Sequence, residues 1–131
     1  NNAQLGGAEL SGARLHEAIL NNAQLGGAAL NGAQFYEAQI NQTVFDAMTN
    51  LITVKATGSA LRSLNLTEVK NLNRLVTSAF GDASVKLPND IKPLVKDKWP
   101  DTKLGFMEYR EEWELFKKDP KAYVPPQLRE D

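Results

Sequence analysis

A large apolar residue stands at every fifth position from Leu5 to Phe45: Leu5, Leu10, Leu15, Leu20, Leu25, Leu30, Phe35, Ile40 and Phe45. Two positions before each stands a small residue: Ala3, Ala8, Ala13, Ala18, Ala23, Ala28, Ala33, Ala38 and Thr43. This spacing fits neither the helical period of about 3.6 residues nor the two-residue alternation of a flat strand. It fits a chain that turns a corner every five residues and sends one large and one small side chain inward at each turn. Four such faces would close a coil, so that position 21 returns above position 1. The sequence supports that coil length independently. Residues 1–8, NNAQLGGA, recur unchanged as residues 21–28; Gly12-Ala13 recurs as Gly32-Ala33, and Glu17-Ala18 as Glu37-Ala38. Residues one coil apart are therefore expected one above the other at the strand spacing of about 4.8 Å. Asn1, Asn21 and Asn41 would form one column, and Asn2, Asn22 and Gln42 a second, with amides able to bond along it.

These residues resemble the pentapeptide repeat family, whose unit reads Ala-(Asp/Asn)-Leu-X-X. The second position here is often glutamine instead (Gln4, Gln24, Gln34, Gln39). The resemblance covers residues 3–47 and implies a right-handed quadrilateral β-helix with leucine and alanine both inside. The expected fold class is thus a mainly β solenoid, capped by C-terminal α-helices.

After Phe45 the phase slips by one residue. A weaker series continues through Leu51, Ala56, Leu61 and Leu66, with Thr49, Val54, Ser59 and Leu64 two positions earlier. It reads either as one more degenerate coil or as irregular capping structure. The chain divides accordingly into regular repeats (1–47), degenerate repeats (48–66) and a helical cap and tail (67–131).

The last coil of a solenoid exposes an apolar end and unpaired backbone, so a cap is required. Residues 67–80 supply a candidate helix. Thr67 stands as its N-cap, Val69, Leu72, Leu75, Val76, Ala79 and Phe80 share one face, and Gly81 follows as a stop. Lys70 and Arg74 belong to the solvent face. Leu72, Leu75 and Val76 are expected to cover the bottom coil. Pro88, Pro93 and Pro100 exclude one continuous helix over 88–102. A second helix is expected over about 104–118, with Phe106, Tyr109, Trp113 and Phe116 as its apolar face and a Glu114–Lys118 pair on the other. Asp119-Pro120 ends it, and Tyr123-Val124-Pro125-Pro126 should be extended. Trp99 and Trp113 read as core rather than interface anchors, and the tail as docked rather than as a polyproline ligand. The run FGDASVKLP, the following Trp-Pro and the aromatic helix look like a tail that follows bacterial pentapeptide repeats, with no activity implied.

Nothing in the sequence assembles a catalytic, cofactor or metal site. Cysteine is absent and His16 is the single histidine, which excludes thiolate chemistry and leaves a poor metal site. His16 is expected on the surface against Tyr36. Glu17 and Glu37 stack as carboxylates on a solvated face with no pocket expected. Ser11, Ser59, Ser63, Ser78 and Ser84 have no triad partner. Gly6-Gly7 and Gly26-Gly27 lack the lysine of a phosphate loop and read as repeat corners. No cofactor is expected.

Net charge is −1, split as −3 over residues 1–47 and +2 over the remainder, so there is no global attraction to nucleic acid or an anionic membrane. No run is long enough to span a bilayer. The chain opens at Asn1 inside the repeat, without an initiator methionine, and reads as a fragment of a larger bacterial protein. It is expected to be cytoplasmic, with any membrane anchor in the parent. A non-enzymatic protein-interaction scaffold fits these observations, with an unidentified protein partner and end-to-end self-association at the raw first coil. The alternative is a gyrase- or topoisomerase-binding DNA mimic, as in the quinolone-resistance branch of the family the repeats resemble.

Overall fold

The computed structural model describes residues 7–20, 22–30, 32–43, 45, 49, 51 and 53–129. Within them the chain passes repeatedly over itself in parallel. Glu9 bridges Ala29, Arg14 bridges Gln34 and Ile19 bridges Gln39, each rung joining matching positions of successive coils. The next rungs, Gln34 to Lys55 and Gln39 to Ala60, each reach one position further along the chain, so the slip after Phe45 is built into the stacking register. The longest column runs Ile19, Gln39, Ala60, Phe80, and a further one joins Asn65 to Lys86. Only one pair of passes is continuous enough to form strands among the described residues, β1 (Gln39–Asn41) and β2 (Ala60–Arg62). Elsewhere each contact is a single rung between turns.

The turns repeat as closely as the residues do. The N–H of each small residue donates to the carbonyl of the large residue three positions earlier: Ala13 to Leu10, Ala28 to Leu25, Ala38 to Phe35, Val54 to Leu51, Ser59 to Ala56 and Val69 to Leu66. The degenerate series at 51–66 therefore keeps the local geometry of the regular one. Where a hydroxyl replaces alanine inside, it is tied to backbone: Thr43 donates to Leu20 O, Thr49 to Leu25 O at 3.0 Å and Ser59 to Ala56 O at 2.7 Å. Buried hydroxyls without such partners would be destabilising.

The five-spaced residues line one core. Leu25, Leu30, Phe35 and Ile40 are at most 1% exposed, as are the alanines between them. Leu10, Leu15 and Leu20 are only partly buried, which corrects the expectation that the whole series is inside. They lie in the first described pass, whose upper side carries no rung among the described residues. Leu5, Asn1, Asn2 and Asn21, and with them the upper members of the two expected amide columns, lie outside the described residues.

The cap differs from the sequence expectation in its local structure. The helix expected over 67–80 is reduced to α1 (Asn73–Ser78). Thr67 is no N-cap: its N–H and hydroxyl both donate to Asn65 Oδ1, while Leu66–Val69 makes one more repeat turn. Asn71, with φ at 61°, breaks the backbone just before α1. Leu72, Leu75 and Val76 are buried in the core, as expected of a cap. Gly81 is no helix stop either. The chain leaves α1 at Ala79 to resume the stack, with Phe80 paired to Ala60. Gly81 then takes the register of the interior Leu61, and a Cβ placed on it would lie 2.7 Å from the Trp99 ring. Trp99 thus occupies the slot a leucine would fill, its Nε1 donating to Ala79 O at 3.0 Å. A short helix α2 (Lys92–Val95) sits between the prolines.

Helix α3 (Phe106–Lys118) lies against the side of the stack. Phe80 points outward there into a second cluster with Leu104, Tyr109, Trp113 and Phe116. Phe106 does not join it. It is 64% exposed, one turn before Tyr109, with the Arg62 guanidinium over its ring at 5.7 Å. Glu114 pairs with Lys117 rather than Lys118. The tail is extended through Pro125 and closes in a 3₁₀ turn over Pro126–Leu128. It is fastened by Glu112, which accepts from the Tyr123 hydroxyl at 2.7 Å and from the Arg129 guanidinium. Partial burial opposes ionisation of Glu112, but the bonds from Arg129 and Tyr123 outweigh it and hold the carboxyl below its ordinary value.

Two outcomes follow from this packing. Leu25→Ala should destabilise the fold by roughly 2–5 kcal/mol in equilibrium denaturation. Gly81→Ala should cost about 1–3 kcal/mol through overpacking, with part of that loss recovered in a Trp99→Phe background; strictly additive effects would show that the ring and the glycine are not coupled. The tail clasp has a pH signature. A carboxyl depressed in the folded state contributes stability above its unfolded pKa of about 4.3 and loses it as pH falls through the folded value. The protection factors of the amides of Tyr123, Val124 and Gln127–Arg129, measured against their intrinsic rates, should therefore fall below about pH 4, and Glu112→Gln should abolish that acid dependence.

Candidate functional site

The backbone rungs hold the outward side chains in fixed columns. Arg14, Gln34 and Lys55 occupy one face, with Arg14 and Lys55 exposed. At the next corner stand Glu17, Glu37 and Gly58, with φ at 59°, 56° and 77°. The Glu17 N–H donates to Tyr36 O at 2.9 Å and the Glu37 N–H to Thr57 O at 3.1 Å. A non-glycine residue in this left-handed region costs on the order of 1 kcal/mol, so the corner is held by the stacking rather than by local preference. Asn22, Gln42 and Ser63 repeat the conformation at another corner, with φ at 59°, 53° and 54°.

Both glutamates are exposed, and the column of carboxylates ends at Gly58. Below it Trp113 docks, its Nε1 donating to Gly58 O at 2.7 Å, and Lys117 lies over the Trp113 ring at 3.7 Å. His16 is exposed as expected. Its Nε2 is 2.9 Å from Gln34 Oε1, and its ring meets Tyr36 edge-to-face at 5.0 Å and 84°. The serines are dispersed: Ser59 and Ser78 bond to nearby carbonyls, while Ser84 accepts from the Ser63 N–H. No group of three or more metal-ligating side chains occurs among the described residues. At the expected glycine corners, Gly7 and Gly27 have φ at 71° and 70°; Gly6 lies outside the described residues.

Two features escape a reading of the sequence alone. Asp82 is 2% exposed, and its carboxylate accepts from the Ser84 N–H, the Ser84 hydroxyl and the Leu104 N–H. The Asp-Ala-Ser order is an Asx-turn signal that announces the first two of these bonds but not the third. Tyr109 donates its hydroxyl to Leu61 O at 2.6 Å. Burial above all, with Asp82 nearby, raises its pKa well above the ordinary value, so it is a fixed donor and not an acid–base group. Trp99, Tyr109 and Trp113 together tie the tail to backbone carbonyls of the stack.

The largest of the described clefts, about 580 Å³, lies at the lower end and is lined among others by Thr67, Lys86, Lys92 and Trp99. His16, Glu17 and Glu37 stand outside it. The arrangement offers rigid columns of mixed polar side chains and one cleft at the capped end. No helix among the described residues is long and apolar enough to cross a membrane.

No curated protein and no solved structure matches the chain. A family model described as Pentapeptide repeats matches residues 1–46 in eight copies. Residues 1–46, with their five-residue period and the rungs that join successive coils, are thus a run of pentapeptide repeats.

Proposed function

We propose that this chain is a non-enzymatic protein-interaction module, a right-handed quadrilateral β-helix whose flat polar faces form the binding surface. The four columns of rungs, begun at Glu9, Arg14, Ile19 and Asn65, correspond to the four faces. The observation that carries the reading is the Arg14–Gln34–Lys55 column beside the Glu17–Glu37 corner. It sets a column with two cations beside a column with two carboxylates on a surface whose backbone is fixed. Such a surface has little rotational freedom to lose on binding beyond its side chains. In this reading the partner is a protein of the same compartment, the cytoplasm.

The DNA-mimic alternative needs a continuous acidic column. Two stacked carboxylates favour it, but the column stops at Gly58 and runs beside Arg14 and Lys55, so the charge layout favours a mixed protein surface. Affinity capture from the source cells separates the two. The chain should retain a defined protein, and Arg14→Glu with Lys55→Glu should release it at unchanged thermal stability. Retention of nothing specific would overturn the scaffold reading. Inhibition of DNA supercoiling by purified gyrase, lost in Glu17→Gln with Glu37→Gln, would establish the alternative.

A further inference from the structure

We infer that the lower end of the stack takes an extended acidic peptide as an additional rung, seated in the cleft beside α2. The inference rests on the reading of the chain as a protein-binding module and locates one of its sites. Lys86 directs both its backbone groups to the pass above: its N–H donates to Leu64 O and its carbonyl accepts from the Leu66 N–H, both at 2.8 Å. Backbone groups alternate in direction along an extended segment, so the Val85 carbonyl and the Leu87 N–H face away from the stack. Neither carries a backbone hydrogen bond among the described residues. They form a short edge with one acceptor and one donor, the arrangement that peptides use when they add a strand.

The cleft next to this edge suits side chains from such a peptide. Its volume of about 580 Å³ falls within the roughly 300–1,000 Å³ of ligand pockets. Val85, Leu87, Val95 and Trp99 supply apolar lining, and Lys86, Lys92 and Lys96 stand around it. Those lysines form no ion pair among the described residues. Of the two carboxylates in the lining, Asp82 already accepts three hydrogen bonds, which leaves three cations against Asp101. An apolar lining with a cationic rim, next to an unpaired backbone edge, selects an extended segment that alternates apolar and acidic residues. A lipid-like anion would satisfy the lining and the rim but leave the edge unpaired.

The test titrates the intact chain with two acetylated, amidated pentapeptides, one alternating glutamate and leucine and one alternating lysine and leucine. Amide NMR and hydrogen exchange at Leu87 are the readouts. The acidic peptide should bind and slow Leu87 exchange by about tenfold or more. Lys92→Glu with Lys96→Glu should weaken binding by about tenfold while Tm stays unchanged, and N-methylation of the peptide backbone should abolish it. Equal binding by the lysine peptide, equal binding by the N-methylated one, unchanged Leu87 exchange, or occupancy by dodecanoate but not by the peptide would each overturn the inference. A failed titration leaves a captured partner of the polar faces standing, and a failed capture leaves a bound peptide standing, so the two readings fail separately.

Discussion

Everything in this molecule depends on one rung of backbone hydrogen bonding between each pass of the chain and the pass one coil further on. Each rung fixes the vertical distance between passes at about 4.8 Å. The interior then has no freedom to adapt in height. A leucine above a leucine fills one layer, and the space between neighbouring large residues admits alanine or a hydroxyl tied to a carbonyl in the regular series, and Val54 and Leu64 in the degenerate one. This explains why Thr43, Thr49 and Ser59 are tolerated inside, each donating to backbone. It also explains why left-handed conformations recur in columns: the corner is dictated by the rungs on either side, and Glu17 and Glu37 accept it although glycine would do so more readily.

The lower end shows how such a stack is closed. The pass through Phe80 and Gly81 reverses the usual division of inside and outside. The large residue, Phe80, faces out and seats α3, while the inward position is a glycine. The missing volume is returned by Trp99, which arrives from beyond α2. Two aromatic cores grow from this exchange, one continuing the interior and one against the side. Closure and attachment of the tail are therefore a single event in the packing, because neighbouring residues serve both.

The regular coils are legible in the sequence because their signal is periodic and strictly local. The spacing of Leu25, Leu30 and Phe35 names the buried positions, and the repeat of residues 1–8 at 21–28 names the coil length. The slip after Phe45 is legible for the same reason. The cap is less so. Val69, Leu72, Leu75, Val76, Ala79 and Phe80 satisfy a helical face and are all buried, yet only Asn73–Ser78 is helix. Burial in a stack and burial by a helix select the same residue types, and Leu66–Val69 obeys the five-residue rule as well. Gly81 reads as a helix stop in sequence because its true partner, Trp99, is distant. Phe106 fits the apolar face of α3 by spacing, but that face extends past the part of the stack it covers. Of the candidate site residues, His16, Glu17 and Glu37 are placed on the surface by phase alone, whereas the cleft, built from Thr67, 82–87 and 92–101 together, has no sequence signature.

The uniform separation along the chain of residues joined by rungs has a kinetic consequence. Loop-closure entropy depends on the logarithm of loop length, so every rung presents nearly the same barrier and none is a preferred long-range nucleus. A bare coil has only its neighbours to hold it, whereas the last pass is bound by α1, Trp99 and α3 at once. Cross-chain contacts are thus concentrated at the aromatic end, while the coils above it are held by rungs and by their neighbours alone.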